Sequence, residues 1–377
     1  MRPESSAILH LPAAPARIPA AAGPRRPRRV AILIDPRFPG GTAGAVAAEI
    51  RALSPRVSLS VIGLTTRMFG NAPVNPALAR ALEDTGLPLL PPPPVVRADT
   101  IVLHNPSCLK FDTSLAPRLS AARTLVVTHE NFVRPGGSEG FDADHCLGLI
   151  AARIAGGERL LAPISAANRA GVAAWRDAHP EAGWGLAPVD WSNICTEPSL
   201  PPTSAPRDRR GRHSRPGFEK FPGLDTLRAL FPPHAEHCAI LGADTLMLDP
   251  EAVPPHWTLL RFGAMPVAEF LATIDFFVYF THPLWRESFG RALAEAIAAG
   301  KLVITDAETA APFGPGVVAA ASPAEVDRII AAHVADPQAY AARVRCAQET
   351  LAAHRPEAVL ERILPLLEPG EASRALL

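Results

Sequence analysis

The sequence is short of lysine. Of its 37 basic residues only Lys110, Lys220 and Lys301 are lysine, and the other 34 are arginine. Together with 42 prolines and recurrent alanine runs, this is the bias of a GC-rich genome, and most of it carries no functional message. Cysteine is scarce as well. The five cysteines form no Cys-x-x-Cys pair, which argues against a zinc framework or disulfide scaffold and suits a reducing cytoplasm. Net charge is absent, 37 acidic residues balancing 37 basic ones, so bulk charge does not point to nucleic acid as a partner. Long apolar runs are missing too. A membrane span needs ~20 nearly uncharged residues, and the longest candidate, Leu147 to Trp175, is broken by Arg153, Glu158, Arg159 and Arg169. The apolar run from Ala7 to Leu11 is too short for a signal-peptide core. Residues 1–29 read as a poorly ordered Pro/Ala/Arg-rich extension. Their cluster Arg25, Arg26, Arg28 and Arg29 is the one feature offering peripheral contact to an anionic membrane, against a solvated tail as the plainer reading.

What is present is a globular composition, 48% hydrophobic and 20% charged, in a chain long enough for two domains. Val30-Ala31-Ile32-Leu33-Ile34 is a continuous apolar run, the pattern of a strand buried on both faces. Further strands read at 58–63, 100–104, 124–128 and 159–162, with helices at 43–53, 76–84, 113–122, 143–155 and 166–178. Pro180, Pro188, Pro198, Pro201, Pro202 and Pro206 then break the rhythm and mark a domain boundary. Beyond it, strands read at 237–242, 257–263, 276–280, 302–305 and 317–320. The helices between and after them read at 222–230, 266–273, 288–299, 323–335 and 337–353, and a last one at 356–367 returns to the first domain. The division is 30–190, 191–353 and 354–377. Repeated β-α-β units with short connections predict two parallel α/β sheets, with a ligand cleft at the carboxyl ends of their strands.

Several segments carry candidate chemistry. Pro39-Gly40-Gly41-Thr42 follows the first strand, where glycine lets backbone approach a ligand. A dinucleotide fingerprint is excluded because Gly-x-Gly-x-x-Gly is absent. His129 closes a strand in Val126-Val127-Thr128-His129-Glu130, and His104-Asn105-Pro106 closes the one before. Gly211-Arg212 and Lys220 open the second domain with two cations, although the charged run Arg207-Asp208-Arg209-Arg210 leaves the register of its first strand open. Glu287 and Glu295, with seven residues between them, would lie ~80° apart in azimuth and ~12 Å along one helix, with Ser288-Phe289-Gly290 at its anion-attracting N-terminus. Asp142-Ala143-Asp144 reads as a helix cap, not a metal motif. His234-x-x-His237 lacks a third ligand. The Pro/Gly loop 311–316 reads as a nucleotide cover or a plain turn.

The string Glu287-Ser288-Phe289-Gly290 … Glu295-Ala296 … Ala299-Gly300 resembles the E-x7-E motif of retaining GT-B glycosyltransferases, in particular glycosyltransferase family four. That family's usual proline is Leu302 here. The resemblance implies a GT-B fold of two Rossmann-like domains. It implies transfer of a sugar from a nucleotide-sugar to a hydroxyl acceptor, a glycan or lipid-linked one, with retention. It assigns Glu287 and His129 to the sugar and Glu295 to the ribose. Arg212 and Lys220 fall to the diphosphate, Ser288, Phe289 and Gly290 to the donor, and Gly40, Gly41 and Thr42 to the cleft. It implies no metal and no cofactor beyond the donor, and a cytoplasmic protein that touches at most the inner membrane face. A non-catalytic nucleotide-sugar binder and a nucleotide-sugar epimerase of the same architecture remain alternatives.

Overall fold

The apolar run at Val30 becomes the middle of a seven-stranded sheet. The computed structural model describes residues 28–249, 251 and 253–368. Its strands are β1 (Arg29–Ile34), β2 (Ser58–Gly63), β3 (Leu89–Leu90), β4 (Val95–Arg97), β5 (Thr100–His104), β6 (Arg118–Ser120), β7 (Arg123–Thr128), β8 (Glu158–Pro163) and β9 (Gly185–Leu186) in the first half. The second half adds β10 (Arg209–His213), β11 (His237–Leu241), β12 (Trp257–Leu260), β13 (Phe276–Tyr279), β14 (Leu302–Thr305) and β15 (Val318–Ala319). The helices that matter here are α1 (Gly41–Leu53), α2 (Ala143–Ala151), α3 (Arg291–Ala298), α4 (Pro337–Leu351) and α5 (Pro356–Ile363).

The first sheet runs β3-β2-β1-β5-β7-β8-β9 and the second β12-β11-β10-β13-β14-β15, every pairing parallel. A parallel sheet is covered on both faces, and β1, β5 and β7 are accordingly buried almost throughout. Residues 113–122, expected as a helix, instead supply β6, which pairs with β4. Pro117 lacks the amide a helix interior needs, and Leu119 turns inward alone between Arg118 and Ser120.

The proline-rich connection is less of a linker than its composition implies. It adds β9 to the first sheet and buries Trp191. At the far end α5 packs against α1, Leu367 O accepts Thr100 Oγ1 at 3.1 Å, and Leu366 O accepts Arg123 Nη1 at 2.6 Å.

The strand the sequence left in doubt is the centre of the second sheet. β10 reads Arg209-Arg210-Gly211-Arg212-His213 and is buried from Arg210 onward. Buried charge is tolerated only when paired or hydrogen-bonded, and Arg209 and Arg210 both have carboxylate partners. Arg209 binds Asp275 at 2.8 Å, and Arg210 binds Asp208 and Asp327, each at 2.7 Å. Gly211 has no room for a side chain, since a Cβ there would stand 2.7 Å from Ile274.

Residues 1–27 of the extension, with Arg25 and Arg26, lie outside the described residues. Of the same basic cluster, Arg28 pairs with Glu368 and Arg29 with Asp99, so both are engaged in the fold. Among the described residues no helix is long and apolar enough to cross a membrane.

Candidate active site

The loops that leave the strands at their carboxyl ends converge from both sheets. Residues 38–42 follow β1, Asn105 follows β5, and His129 and Glu130 follow β7. From the second sheet, Arg215 to Lys220 follow β10, and residues 282–291 follow β13. Most of these residues, though not Gly40, line a cavity of about 560 Å³, within the size range of small-molecule sites.

Glu287 stands at its centre. Its Oε1 accepts Lys220 Nζ at 2.5 Å and the Tyr279 hydroxyl at 2.8 Å. Burial alone would raise the Glu287 pKa, but the Lys220 ammonium and these hydrogen bonds overcome it and hold the carboxyl below its ordinary value. Lys220 also lies 5.1 Å from the Trp285 ring centre. Glu287 is not on the helix, however. Gly290, with φ 86° and ψ 49°, caps α3, which starts only at Arg291. The ~80° and ~12 Å expected from a shared helix therefore do not apply to the two glutamates.

The loop carrying Glu287 is tied to the other domain. Asn131 Nδ2 donates to Arg286 O at 3.1 Å, and Ser165 Oγ donates to Ser288 O. Phe289 anchors it edge-on against Phe313 and His354, with centroids 5.9 and 5.0 Å away. Ser288, Phe289 and Gly290 all line the cavity.

Arg212 is placed differently from its expected role. It is fully buried in β10, does not line the cavity, and sits between the rings of Phe221 and Tyr279, 4.5 and 4.6 Å from their centres. It donates to Phe280 O at 2.6 Å and to Lys220 O. Burial pushes its pKa down to about 10. Arg212 thus fixes the backbone that carries Lys220. The cation that reaches the cavity is Arg215, three residues on and unmarked in the sequence reading, paired with Glu219 at 2.7 Å. Arg212 lies within β10 and Arg215 in the loop beyond its carboxyl end, and with the strand's register open nothing in the sequence told the two arginines apart.

Glu295 also lies behind the cavity wall. Arg291 Nε holds its Oε1 at 2.9 Å, and His213 Nε2 stands 3.4 Å from its Oε2. Arg291 itself lines the cavity.

The glycine loop meets the second domain directly. Gly41 and Thr42 line the cavity. Gly40, at φ 75°, caps α1, and a Cβ on it would lie 3.7 Å from Arg215 Cδ. A Cβ on Gly44, one turn into α1, would stand 2.8 Å from Arg291 Nη1. Asn105 holds φ 54°, the one non-glycine at positive φ among the described residues, and points Nδ2 toward Thr42 Oγ1 at 3.4 Å. Such strain persists where surrounding structure imposes it, commonly at functional sites.

His129 lines the same cavity, and burial followed by the neighbouring His104 pushes its pKa well below the ordinary imidazole range. Lys110, for which the sequence suggested no role, lines it too. The loop 311–316 does not reach it. Phe313 is buried, and Pro315 O accepts Arg343 Nη1 at 2.6 Å, so the loop is packing against α4. Asp142 caps α2 by accepting His145 N–H at 2.8 Å. Among the described residues no cluster of three or more His, Cys, Asp or Glu is placed to hold a metal.

No protein-family model matches the chain, and no curated protein matches it. Solved structures do. One is HepE of Anabaena with UDP and glucose, at TM-score 0.61 and 16% identity, covering 90% of this chain and 99% of that one. A second is an α-glucosyltransferase with UDP and a 13-mer DNA, at TM-score 0.58 and 9% identity, covering 90% and 99%. A third is a trehalose-6-phosphate synthase, at TM-score 0.53 and 12% identity, covering 90% and 98%. Two parallel α/β sheets facing one cleft, matched over nine-tenths of the chain, give this protein the GT-B fold.

Proposed function

We propose that this protein is a glycosyltransferase that moves a sugar from a nucleotide-sugar to a hydroxyl acceptor in this cavity. The observation that carries the reading is the convergence of Lys220, Arg215 and Glu287 on one wall. Two cations from the second sheet suit the diphosphate of a donor, whose charge grows as it leaves. Glu287, held ionised by Lys220, faces the place where the sugar would then lie, and the first domain supplies His129, Asn105 and Thr42 opposite. Arg212, assigned to the diphosphate by resemblance, passes that role to Arg215 and keeps Lys220 in place. Glu295 serves the ribose once Arg291 releases it. A UDP-sugar is the donor proposed, because HepE is similar in fold and holds UDP and glucose. Retention at the anomeric carbon rests on the resemblance of the segment from Glu287 to Glu295, and a cell-surface glycan or glycolipid is the acceptor class it brings.

The test is a thermal-shift panel of UDP-, GDP- and ADP-sugars, followed by product analysis. A donor at 100 times its Kd stabilises by about 2.7 kcal/mol. The UDP-sugars should shift the melt, and the anomeric configuration of the product should match the donor. No shift with any donor overturns the reading, and an inverted product overturns retention.

A further inference from the structure

A buried acid stands behind His129. Glu49 lies in α1 among Val46, Ala47, Ala48 and Ile50 and is 5% exposed. Its Oε2 accepts the Trp191 indole N–H at 2.8 Å, and its Oε1 faces His104 Nε2 at 3.4 Å. His104, fully buried at the end of β5, places Nδ1 3.0 Å from His129 Nε2. The series runs from the interior to the cavity wall, and its polarity follows from one end. A carboxylate only accepts hydrogen bonds, and a neutral imidazole donates from one nitrogen and accepts at the other. Glu49 Oε1 and His104 Nε2 are both buried without any other hydrogen-bond partner and face each other at 3.4 Å, an approach a carboxylate tolerates only toward the protonated side of the ring. His104 Nδ1 is then bare and accepts from His129 Nε2–H. His129 Nδ1, which makes no hydrogen bond with a described residue and is not among the occluded unpartnered atoms, is left as a lone pair toward the cavity.

We infer that Glu49 and His104 are positioning residues that fix His129 as a hydrogen-bond acceptor, so that the cavity takes a hydroxyl group that donates to His129 Nδ1. The identity of that hydroxyl, on the donor sugar or its acceptor, rests on the glycosyl-transfer reading. The tautomer does not. A role confined to packing would need Glu49 only for its volume and its bond to Trp191, both of which glutamine reproduces.

Glu49→Gln separates the two. It is isosteric, and its amide oxygen stays with Trp191. Its amide N–H then points at His104 Nε2 and reverses each hydrogen bond down the series, so His129 Nδ1 becomes a donor. In wild type, ¹⁵N-labelled histidine spectra at pH 7 should show His129 Nδ1 as unprotonated, with His129→Asn assigning the resonance. In Glu49→Gln the same nitrogen should carry a proton. The turnover number should fall on the order of 100-fold, the cost of one misdirected hydrogen bond in a reaction centre, with the donor KM changing by only a few-fold. A protonated Nδ1 in wild type overturns the inference, as does a Glu49→Gln protein with an unchanged tautomer and full turnover. If Glu49→Gln does not fold, the wild-type spectrum alone decides. If the wild type turns over no donor, the transferase reading falls while the spectrum still settles the relay.

Discussion

Replacing Lys220 with alanine strips Glu287 of its counter-ion, and the consequence depends on pH in a way that identifies the cause. The two side chains are 10% and 15% exposed and 2.5 Å apart. Removing one member of a buried pair costs about 3–5 kcal/mol. The open cavity and the Tyr279 hydroxyl bring the expected loss to about 2–3 kcal/mol at neutral pH. In wild type the Glu287 carboxyl titrates below its ordinary 4.5. Its contribution is therefore full above pH 4.5 and fades as pH falls through the lower folded value. In Lys220→Ala, burial is the largest influence and is opposed mainly by Tyr279, so the folded value rises above 4.5. The variant then loses stability as pH climbs from 4.5 through that raised value. The gap between the two proteins should be narrow at pH 4 and complete by pH 7.5. At roughly 2–4 °C per kcal/mol for a cooperative unit of about 150–250 residues, it amounts to about 5–10 °C in Tm. Thermal melts of both proteins across pH 4–8 measure it, and Glu287→Gln added to Lys220→Ala should recover most of the loss. A gap equally wide at both ends of the range would refute the ion-pair argument.

Four further outcomes follow from the same coordinates. Lys220→Ala should lower donor turnover far more than Lys110→Ala, because Lys220 touches Glu287 while Lys110 makes no ion pair with a described residue; steady-state kinetics decides. Arg212→Lys should cost about 2–4 kcal/mol in denaturant melts, since an ammonium cannot fill a planar slot between two rings and bond two carbonyls at once. Gly290→Ala should destabilise by about 1–2 kcal/mol in the same assay, from left-handed backbone and a Cβ 3.2 Å from Phe313. His213 is buried, which, together with Arg212, pushes its pKa down to about 3. Its unfolded value lies higher, so stability should be full above about pH 6.5 and fall as pH drops toward 3; in His213→Leu that acid limb should flatten.

Five of the seven strands of the first sheet were legible, β1, β5, β7 and β8 as apolar runs in a sheet covered on both faces, while the two-residue β3 and β9 are too short to show a pattern. The strand at the centre of the second sheet was not legible. Nothing in Arg209-Arg210-Gly211-Arg212-His213 announces burial, because of the carboxylates that permit it only Asp208 is local, and Asp275 and Asp327 come from distant parts of the chain. The same distance hid Glu49, which reaches His129 only through tertiary structure, while His104 was singled out only as closing the strand before. Glu49 did leave a trace, as a lone acid in the apolar stretch from Val46 to Ile50. Helix α3 was read three residues too long at its start, since Gly290 is as compatible with a first turn as with a left-handed cap. The segment from Glu287 to Gly290 was singled out from its residues, and the structure places it on the cavity wall. Which arginine joins it there depended on a register the sequence left open.

The arginines of β10 also constrain the order in which the chain is assembled. This strand opens the second domain, yet its arginines gain their full set of partners only when residues that emerge much later have arrived, Asp275 for Arg209 and Asp327 to join Asp208 on Arg210. During synthesis the first domain, with its apolar strands, can settle as it leaves the ribosome. The second completes the pairing of its central strand only once helical residues beyond 323 are available. A chain cut short before Asp327 would retain every strand of that sheet and leave Arg210, at its middle, with Asp208 as its one remaining ion-pair partner among the described residues.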